Sequence, residues 1–139
     1  MFEWEENFSV GVDKIDRQHQ ELLRIGGELV DAMKNISQGI DEYDHIRRLL
    51  QEMSEYTVEH FKSEEMLMAK HDFPGLESHQ KQHQLFVGRL EDINLDNLDR
   101  NQEKFMMDLL DFIANWVENH ILEVDSKYGD YFAQQGITD

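Results

Sequence analysis

The fold follows from one stretch of the chain, IRRLLQEMSEYTVEHFKSEEML, at residues 46–67. Its apolar side chains recur every three or four residues, which predicts an amphipathic helix whose apolar stripe faces a core. His60 and Glu64 are four residues apart, so they lie one turn apart on that stripe. Burying an ionised glutamate is costly unless it is paired or bound to a metal. Either this stretch carries a buried site, or Glu64 lies at the edge of the stripe in solvent.

Three further segments show the same helical period. We expect the third helix over about Leu76 to Ile93, the fourth over about Asn97 to Asn119, and Asp41 as the N-cap of the second. Short connections between long helices favour antiparallel neighbours. The sequence therefore predicts one all-α domain over residues 1–139, an antiparallel up-down-up-down four-helix bundle. The segments are separated by turn signals at residues 37–39, 73–75 and 94–97.

The first fifteen residues or so precede the helical pattern and are predicted to form an extended N-terminal arm. Trp4, Phe8 and Val10 give this arm apolar side chains that can pack on the bundle. No stretch alternates between apolar and polar residues for more than a few positions, so no sheet is expected.

The composition excludes several classes of protein. The chain has no cysteine, which rules out disulfides, thiolate metal sites, iron–sulfur clusters and c-type haem attachment. Thirteen basic against thirty acidic residues give a formal charge of -17, so nucleic acid and anionic lipid are poor partners. The start lacks the features of a signal peptide, and no apolar run is long enough to span a membrane. We therefore expect a soluble, cytoplasmic monomer that neither inserts into a membrane nor binds nucleic acid.

Every predicted helix supplies a histidine on or near its apolar stripe. His19 lies in the first helix, His79 and His83 share one face of the third, and His120 ends the fourth. A single core histidine is usually an ordinary satisfied residue, but histidines from four helices at comparable depth indicate a site. The remaining histidines, which lie near the two ends of the second helix and are assigned to the surface, are His45 and His71.

The ligand candidates and their neighbours resemble a known family. His19, His60 with Glu64, His79 with His83, and His120 with Asp125 match, in order and spacing, the seven-ligand pattern of the hemerythrins, and the chain is similar to their bacterial branch. The flanking residues match in Asp16-x-Gln18-His19, His60-Phe61-x-x-Glu64-Glu65 and Trp116-x-x-x-His120-Ile121-x-x-x-Asp125-x-x-Tyr128. The resemblance covers nearly the whole chain. It departs at Gly26-Gly27, where the family more often has bulkier or polar residues.

This resemblance implies reversible binding of dioxygen at two non-haem iron ions per chain, for oxygen transport, storage or delivery. It places His79, His83 and His120 on one iron and His19 and His60 on the other, with Glu64, Asp125 and a solvent-derived oxo or hydroxo group as bridges. Two octahedral ions offer twelve positions, of which these ligands fill eleven. One position is therefore left open for dioxygen.

The spacing between His120 and Asp125 predicts a break in the fourth helix. Five residues on a regular helix separate two side chains by about 140°, too far for both to reach one iron pair. Either the helix stops or loosens after His120, or a π-type turn inserts an extra residue there. A short C-terminal helical segment at about Ser126 to Ala133 is expected to follow and to return Tyr128 to the bundle.

Reversible oxygen binding requires that water stay out of the site, so apolar residues within a turn of the ligands are candidates for an oxygen pocket. Each of them is also explained as an ordinary core residue, and the two interpretations are compatible. The candidates are Leu22, Phe61, Phe86, Trp116, Val117 and Leu122.

Two other functions stay open at this point. A ferritin-like di-iron oxidase or peroxidase uses a Glu-x-x-His pair on each of two helices, whereas this chain has one such pair, Glu42 with His45. Five neutral imidazoles also disfavour cleavage of the O–O bond, so we expect no enzymatic activity. Sensing of oxygen or redox state would need a partner protein, since 139 residues leave no room for an output domain. A protein that consumes the oxygen would be another partner.

Overall fold

The structure, a computed structural model, describes residues 2–93 and 101–137, except for the side chains of Leu122 and Glu123. Within these ranges the chain forms helices and no strands. The helices are α1 (Asp13–Ser37), α2 (Tyr43–Lys70), α3 (Leu76–Glu91), α4 (Gln102–Asn119) and α5 (Ser126–Gln135). A π-helical turn, His120–Asp125, joins α4 to α5, and a 3₁₀ turn, Glu6–Phe8, lies in the arm.

Four of these helices form the predicted bundle. α1 packs against α2 and α4, and α2 packs against α3. The ring is closed by aromatic side chains of α3 and α4, because the rings of Phe86 and Phe112 stack with their centroids 5.5 Å apart. The antiparallel four-helix fold is thereby confirmed. None of the described helices combines the length and the apolar composition needed to cross a membrane.

The helix boundaries differ from the predicted ones by a few residues. The N-cap of α2 is Glu42 rather than Asp41, although Asp41 still accepts a hydrogen bond from the backbone N–H of Tyr43, at 3.0 Å. α3 ends two residues earlier than expected, at Glu91. The turn predicted at 94–97 lies outside the described residues. The fourth helix begins at Gln102, later than the expected start near residue 97, and the side chain of its N-cap, Asn101, accepts a hydrogen bond from the N–H of Lys104.

The N-terminal arm packs on the bundle, as predicted, but it ends at Val12 because α1 begins at Asp13. Phe8 and Val10 are buried and Trp4 is half-buried. Asp16 of α1 fixes the end of the arm. One of its carboxylate oxygens accepts a hydrogen bond from the N–H of Val10, at 2.9 Å, and the other from the hydroxyl of Ser9, at 2.5 Å.

The core has two parts. The larger fills the interior of the bundle with side chains from α1, α2, α3 and α4. The smaller joins the arm to the end of α2 and to α5, and Gly129 of α5 allows the close approach of the arm, since a Cβ there would lie 3.1 Å from the Cα of Val10. The members of the smaller cluster are Val10, Val12, Ile15, Met68, Tyr128 and Phe132.

The two consecutive glycines of α1 have different surroundings. Gly26 is buried, and a Cβ built on it would lie 2.4 Å from a ring carbon of Phe2. Nothing lies within 4 Å of a Cβ built on Gly27. The absence of a side chain at Gly26 therefore leaves room for the Phe2 ring, whereas nothing near Gly27 requires a glycine.

Gly27→Ala is expected to raise the free energy of unfolding by about 1 kcal/mol, because alanine loses less backbone entropy than glycine in a helix. Gly26→Ala should raise the free energy of unfolding much less, because the added Cβ displaces the Phe2 ring. Thermal unfolding compares the two variants, and limited proteolysis reports whether residues 2–12 are released. Equal stabilisation with unchanged proteolysis would contradict the role assigned to Gly26.

Candidate metal centre

The seven side chains proposed as ligands from the sequence meet inside the bundle, and each is at most 3% exposed. α1, α2 and α3 supply five of them, and the π-helical turn supplies the other two. Their ligand atoms form two groups, and within each group all atoms lie within 4.8 Å of one another. One group is His79, His83, His120 and Asp125, and the other is His19, His60, Glu64 and Asp125.

Asp125 belongs to both groups and faces them with different oxygens. Its Oδ1 lies 2.7 Å from Nε2 of His79 and 2.9 Å from Nε2 of His120. Its Oδ2 lies 3.0 Å from Nε2 of His19. One carboxylate therefore spans the two groups, as a bridging ligand does.

Glu64 also lies between the two groups. Its Oε1 is 2.5 Å from Nε2 of His60, and its Oε2 is 3.9 Å from Nε2 of His79. Oε2 also accepts a hydrogen bond of 2.6 Å from the hydroxyl of Tyr128, which is fully buried. Oε1 also lies 3.9 Å from Nε2 of His83, so the second carboxylate belongs to the group of His60 and is within 4 Å of both α3 histidines of the other group.

The predicted break after His120 is confirmed as a π-helical turn. Hydrogen bonding from residue i to residue i+5 brings side chains five positions apart to one face, so His120 and Asp125 both point inward. α5 then starts at Ser126 and returns Tyr128 to the core, also as predicted.

Several buried atoms at the site lack a hydrogen-bond partner among the described residues. They include Nε2 of His19 and His79, Oε1 of Glu64 and both carboxylate oxygens of Asp125. Such orphans are rare, because each costs about 1–3 kcal/mol. These atoms face one another at short distances without hydrogen-bond geometry, and a cation within each group would satisfy them. The mixed imidazole and carboxylate donors suit first-row transition metals.

Three imidazoles are held from behind by a polar side chain of the preceding helix. The distances from histidine Nδ1 are 2.7 Å for His60 to Gln18, 3.2 Å for His83 to Glu65 and 3.3 Å for His120 to Gln82. Each contact places a proton on Nδ1 and leaves the lone pair of Nε2 free for a metal. The bracing role of these three residues was not predicted from the sequence.

The electrostatics of the site favours bound cations. Burial alone would lower the pKa of His19, but Asp125 and Glu64 outweigh it and raise the pKa to about 10. Burial also opposes ionisation of the two carboxyls, yet the surrounding histidines hold the pKa of Glu64 and of Asp125 well below their usual range. Burial lowers the pKa of His83 to about 3, which keeps this imidazole neutral. A bound metal ion would replace the proton that the two carboxylates hold on His19, because an imidazole ligand must be neutral.

Aromatic rings cover one side of the ligands. Phe61 stacks on His83 with ring centroids 3.8 Å apart, and Trp116 stacks on His120 at 4.3 Å. Phe86 in turn stacks on Trp116 at 4.2 Å. Of the other residues proposed for an oxygen pocket, Leu22 and Val117 are buried in the same core cluster, and the side chain of Leu122 lies outside the described residues.

The two histidines left out of the ligand set belong to neither group. Nδ1 of His45 lies 2.7 Å from a carboxylate oxygen of Glu42, at the start of α2. The ring of His71 packs 5.5 Å from that of Phe132, just after α2. Both are half-buried, so each keeps part of its side chain in solvent.

Comparisons with known proteins agree with this geometry. Residues 10–132 match a family model described as the hemerythrin HHE cation binding domain. The chain is 35% identical over 130 residues to a bacteriohemerythrin of Clostridium acetobutylicum, covering 94% of this chain and 100% of that protein. It is 28% identical to a myohemerythrin of Riftia pachyptila, covering 90% and 88%, and 30% identical to a hemerythrin-like protein of Naegleria gruberi, covering 91% and 90%. The chain therefore belongs to the hemerythrin family.

Proposed function

We propose that this protein binds dioxygen reversibly at two iron ions, as a carrier or store rather than as an enzyme. The observation that carries the proposal is the pair of buried ligand groups joined through Asp125. The proposed ligands are His19, His60, Glu64, His79, His83, His120 and Asp125, with Glu64, Asp125 and a solvent-derived oxygen as bridges.

The unequal division of the imidazoles supports an open coordination position. One group contains three histidines and the other contains two, His19 and His60. If Glu64 and Asp125 both bridge and the two ions have the same coordination number, the second ion has four protein ligands against five on the first and can accept an external ligand. When bound, the iron pair supplies the electrons and the open position that dioxygen binding requires.

The residues around the proposed ligands favour reversible binding of dioxygen over further reaction of the bound oxygen. The stacked rings of Phe61, Phe86 and Trp116 limit the access of water to His83 and His120. Burial raises the pKa of Tyr128 well above its ordinary value, and the nearby Glu64 carboxylate adds to the effect. The Tyr128 hydroxyl therefore stays protonated and holds Glu64 as a hydrogen-bond donor.

The proposal predicts about two iron ions per chain, because octahedral imidazole and carboxylate donors suit iron better than zinc, which prefers tetrahedral sites. Metal analysis of protein produced with ample iron measures this ratio. Absorption spectra of the reduced protein before air, after air and after removal of oxygen test reversibility.

Two outcomes would contradict this proposal. A ratio near one ion per chain, or preferential uptake of zinc on reconstitution, would exclude a di-iron centre. Full iron loading with sustained consumption of oxygen or peroxide in the presence of a reductant would favour the oxidase or peroxidase alternative.

A further inference from the structure

A groove on the surface of the bundle has an apolar floor. It lies between the start of α1 and the end of α2 and has a volume of about 600 Å³. Val12 and Ile15 form buried parts of its lining, and Leu67 is half-buried beside them. Met66 also lines it and is 65% exposed. An exposed methionine next to buried apolar residues provides an adaptable surface for an apolar ligand.

Positive charge surrounds this groove, in contrast to the rest of the chain. Lys14, Arg17 and Lys70 line it, and all three are exposed. None of them forms an ion pair with a described carboxylate, so all three are available to an anionic ligand. The groove contains one acidic residue, Asp13. In a chain with a formal charge of -17, this cluster of unpaired cations favours an anionic ligand at this place.

The remaining polar lining distinguishes between kinds of anionic ligand. Its one uncharged polar side chain is Ser63, whose hydroxyl already donates to the carbonyl of Glu59, at 3.1 Å, and accepts from the amide of Gln18, at 3.4 Å. A peptide would place backbone amides against the apolar floor of Val12, Ile15 and Leu67, whose side chains offer them no hydrogen-bond partner. A single acyl chain that ends in a carboxylate requires only apolar contact and a cation.

We propose that this groove binds a free single-chain carboxylate of about ten carbons, which a groove of about 600 Å³ is large enough to hold. The acyl chain lies against Val12, Ile15 and Leu67, and the carboxylate pairs with the surrounding cations. Binding at this groove does not depend on the proposed oxygen chemistry.

Titration calorimetry of the metal-loaded full chain with decanoate tests the proposal. We expect one decanoate per chain and an affinity for hexanoate that is lower by at least about tenfold, because four methylene groups are removed. The double variant Arg17→Gln/Lys70→Gln should bind decanoate about tenfold more weakly. A matched double variant with the same change of charge elsewhere, Lys34→Gln/Arg47→Gln, should stay within about twofold of the original protein.

Three results would overturn the proposal. Equal weakening in both double variants would show that net charge, and not the groove, controls binding. Binding of decyltrimethylammonium as tight as that of decanoate would show that the cations are irrelevant. Association with phosphatidylglycerol vesicles without binding of decanoate would indicate a lipid surface instead of a free carboxylate.

Discussion

His79→Ala is expected to abolish stable iron binding. Its melting temperature should lie about 10 °C or more below that of the iron-loaded original protein. The Nε2 of His79 lies 2.7 Å from Oδ1 of Asp125, and both residues are buried. Removing the imidazole would take a donor from the three-histidine group and leave Oδ1 of Asp125 with Nε2 of His120 as its remaining partner in that group. Such a loss in a buried charged cluster costs about 3–5 kcal/mol.

His45→Ala provides the matched control. The His45 side chain is 40% exposed, and its contact with Glu42 is a partly solvated pair worth at most about 1 kcal/mol. We expect unchanged iron content and a small shift in melting temperature. Iron analysis and thermal unfolding of the two purified variants give the comparison, and equal iron content in both would show that the ligand assignment is wrong.

Phe61→Ala is expected to lower the free energy of unfolding by about 3–5 kcal/mol, since it removes a buried ring from a packed core. The Phe61 ring stacks on His83 and contacts the rings of Phe86 and Trp116, with centroids 6.0 and 5.6 Å away. Its loss should also admit water to the ligands. We therefore expect the oxygenated form to oxidise irreversibly at least about tenfold faster.

Phe61→Leu distinguishes the effect on the free energy of unfolding from the effect on the access of water to the ligands. Leucine fills much of the ring's volume and stays apolar, so the loss of stability should be smaller. Stopped-flow spectroscopy after oxygenation measures the lifetime of the oxygenated form in both variants. The order of lifetimes should be native, then Phe61→Leu, then Phe61→Ala. If Phe61→Ala is destabilised but oxidises at the native rate, the ring is a core residue without a role in keeping water out.

The fold and the ligand positions could be predicted because both depend on spacing along a single helix. Apolar residues three and four apart define the stripe of each helix, and His60 with Glu64 shares that period. Even the π-helical turn follows from spacing, since five residues between His120 and Asp125 do not fit a regular helix. Local periodicity therefore accounts for the helices and for the two pairs four residues apart, His60 with Glu64 and His79 with His83, whereas Asp125 was proposed as a ligand from the family resemblance.

The bracing residues could not be predicted, because each contact crosses from one helix to the next. Gln18 is adjacent in sequence to His19, yet it holds His60 of α2. Gln82 is likewise adjacent to His83, yet it holds His120. Which neighbouring imidazole such a side chain reaches depends on the rotation of one helix against another, and the sequence does not specify that angle. In the sequence, these contacts are indicated by a polar residue next to each proposed ligand.

The contact between Phe2 and Gly26 was missed for a similar reason. The sequence indicated an apolar arm and an unusual pair of glycines, but nothing in either segment linked them. The contact joins residues 24 positions apart in the chain, and it depends on the path of an arm that has little regular structure. Neither segment's sequence therefore predicts this contact.

The shared carboxylate has a consequence for how the protein is made. Asp125 is the last of the seven proposed ligands to leave the ribosome, and it completes both groups at once. A nascent chain that has emerged only through α3 would present five donors, but neither group would have its bridging oxygen from Asp125. Iron captured at that stage would be held in an unfinished and exchangeable site. On the proposed function, iron loading follows synthesis of the π-helical turn, after the four helices of the bundle have been made, and iron does not act as a template for early folding.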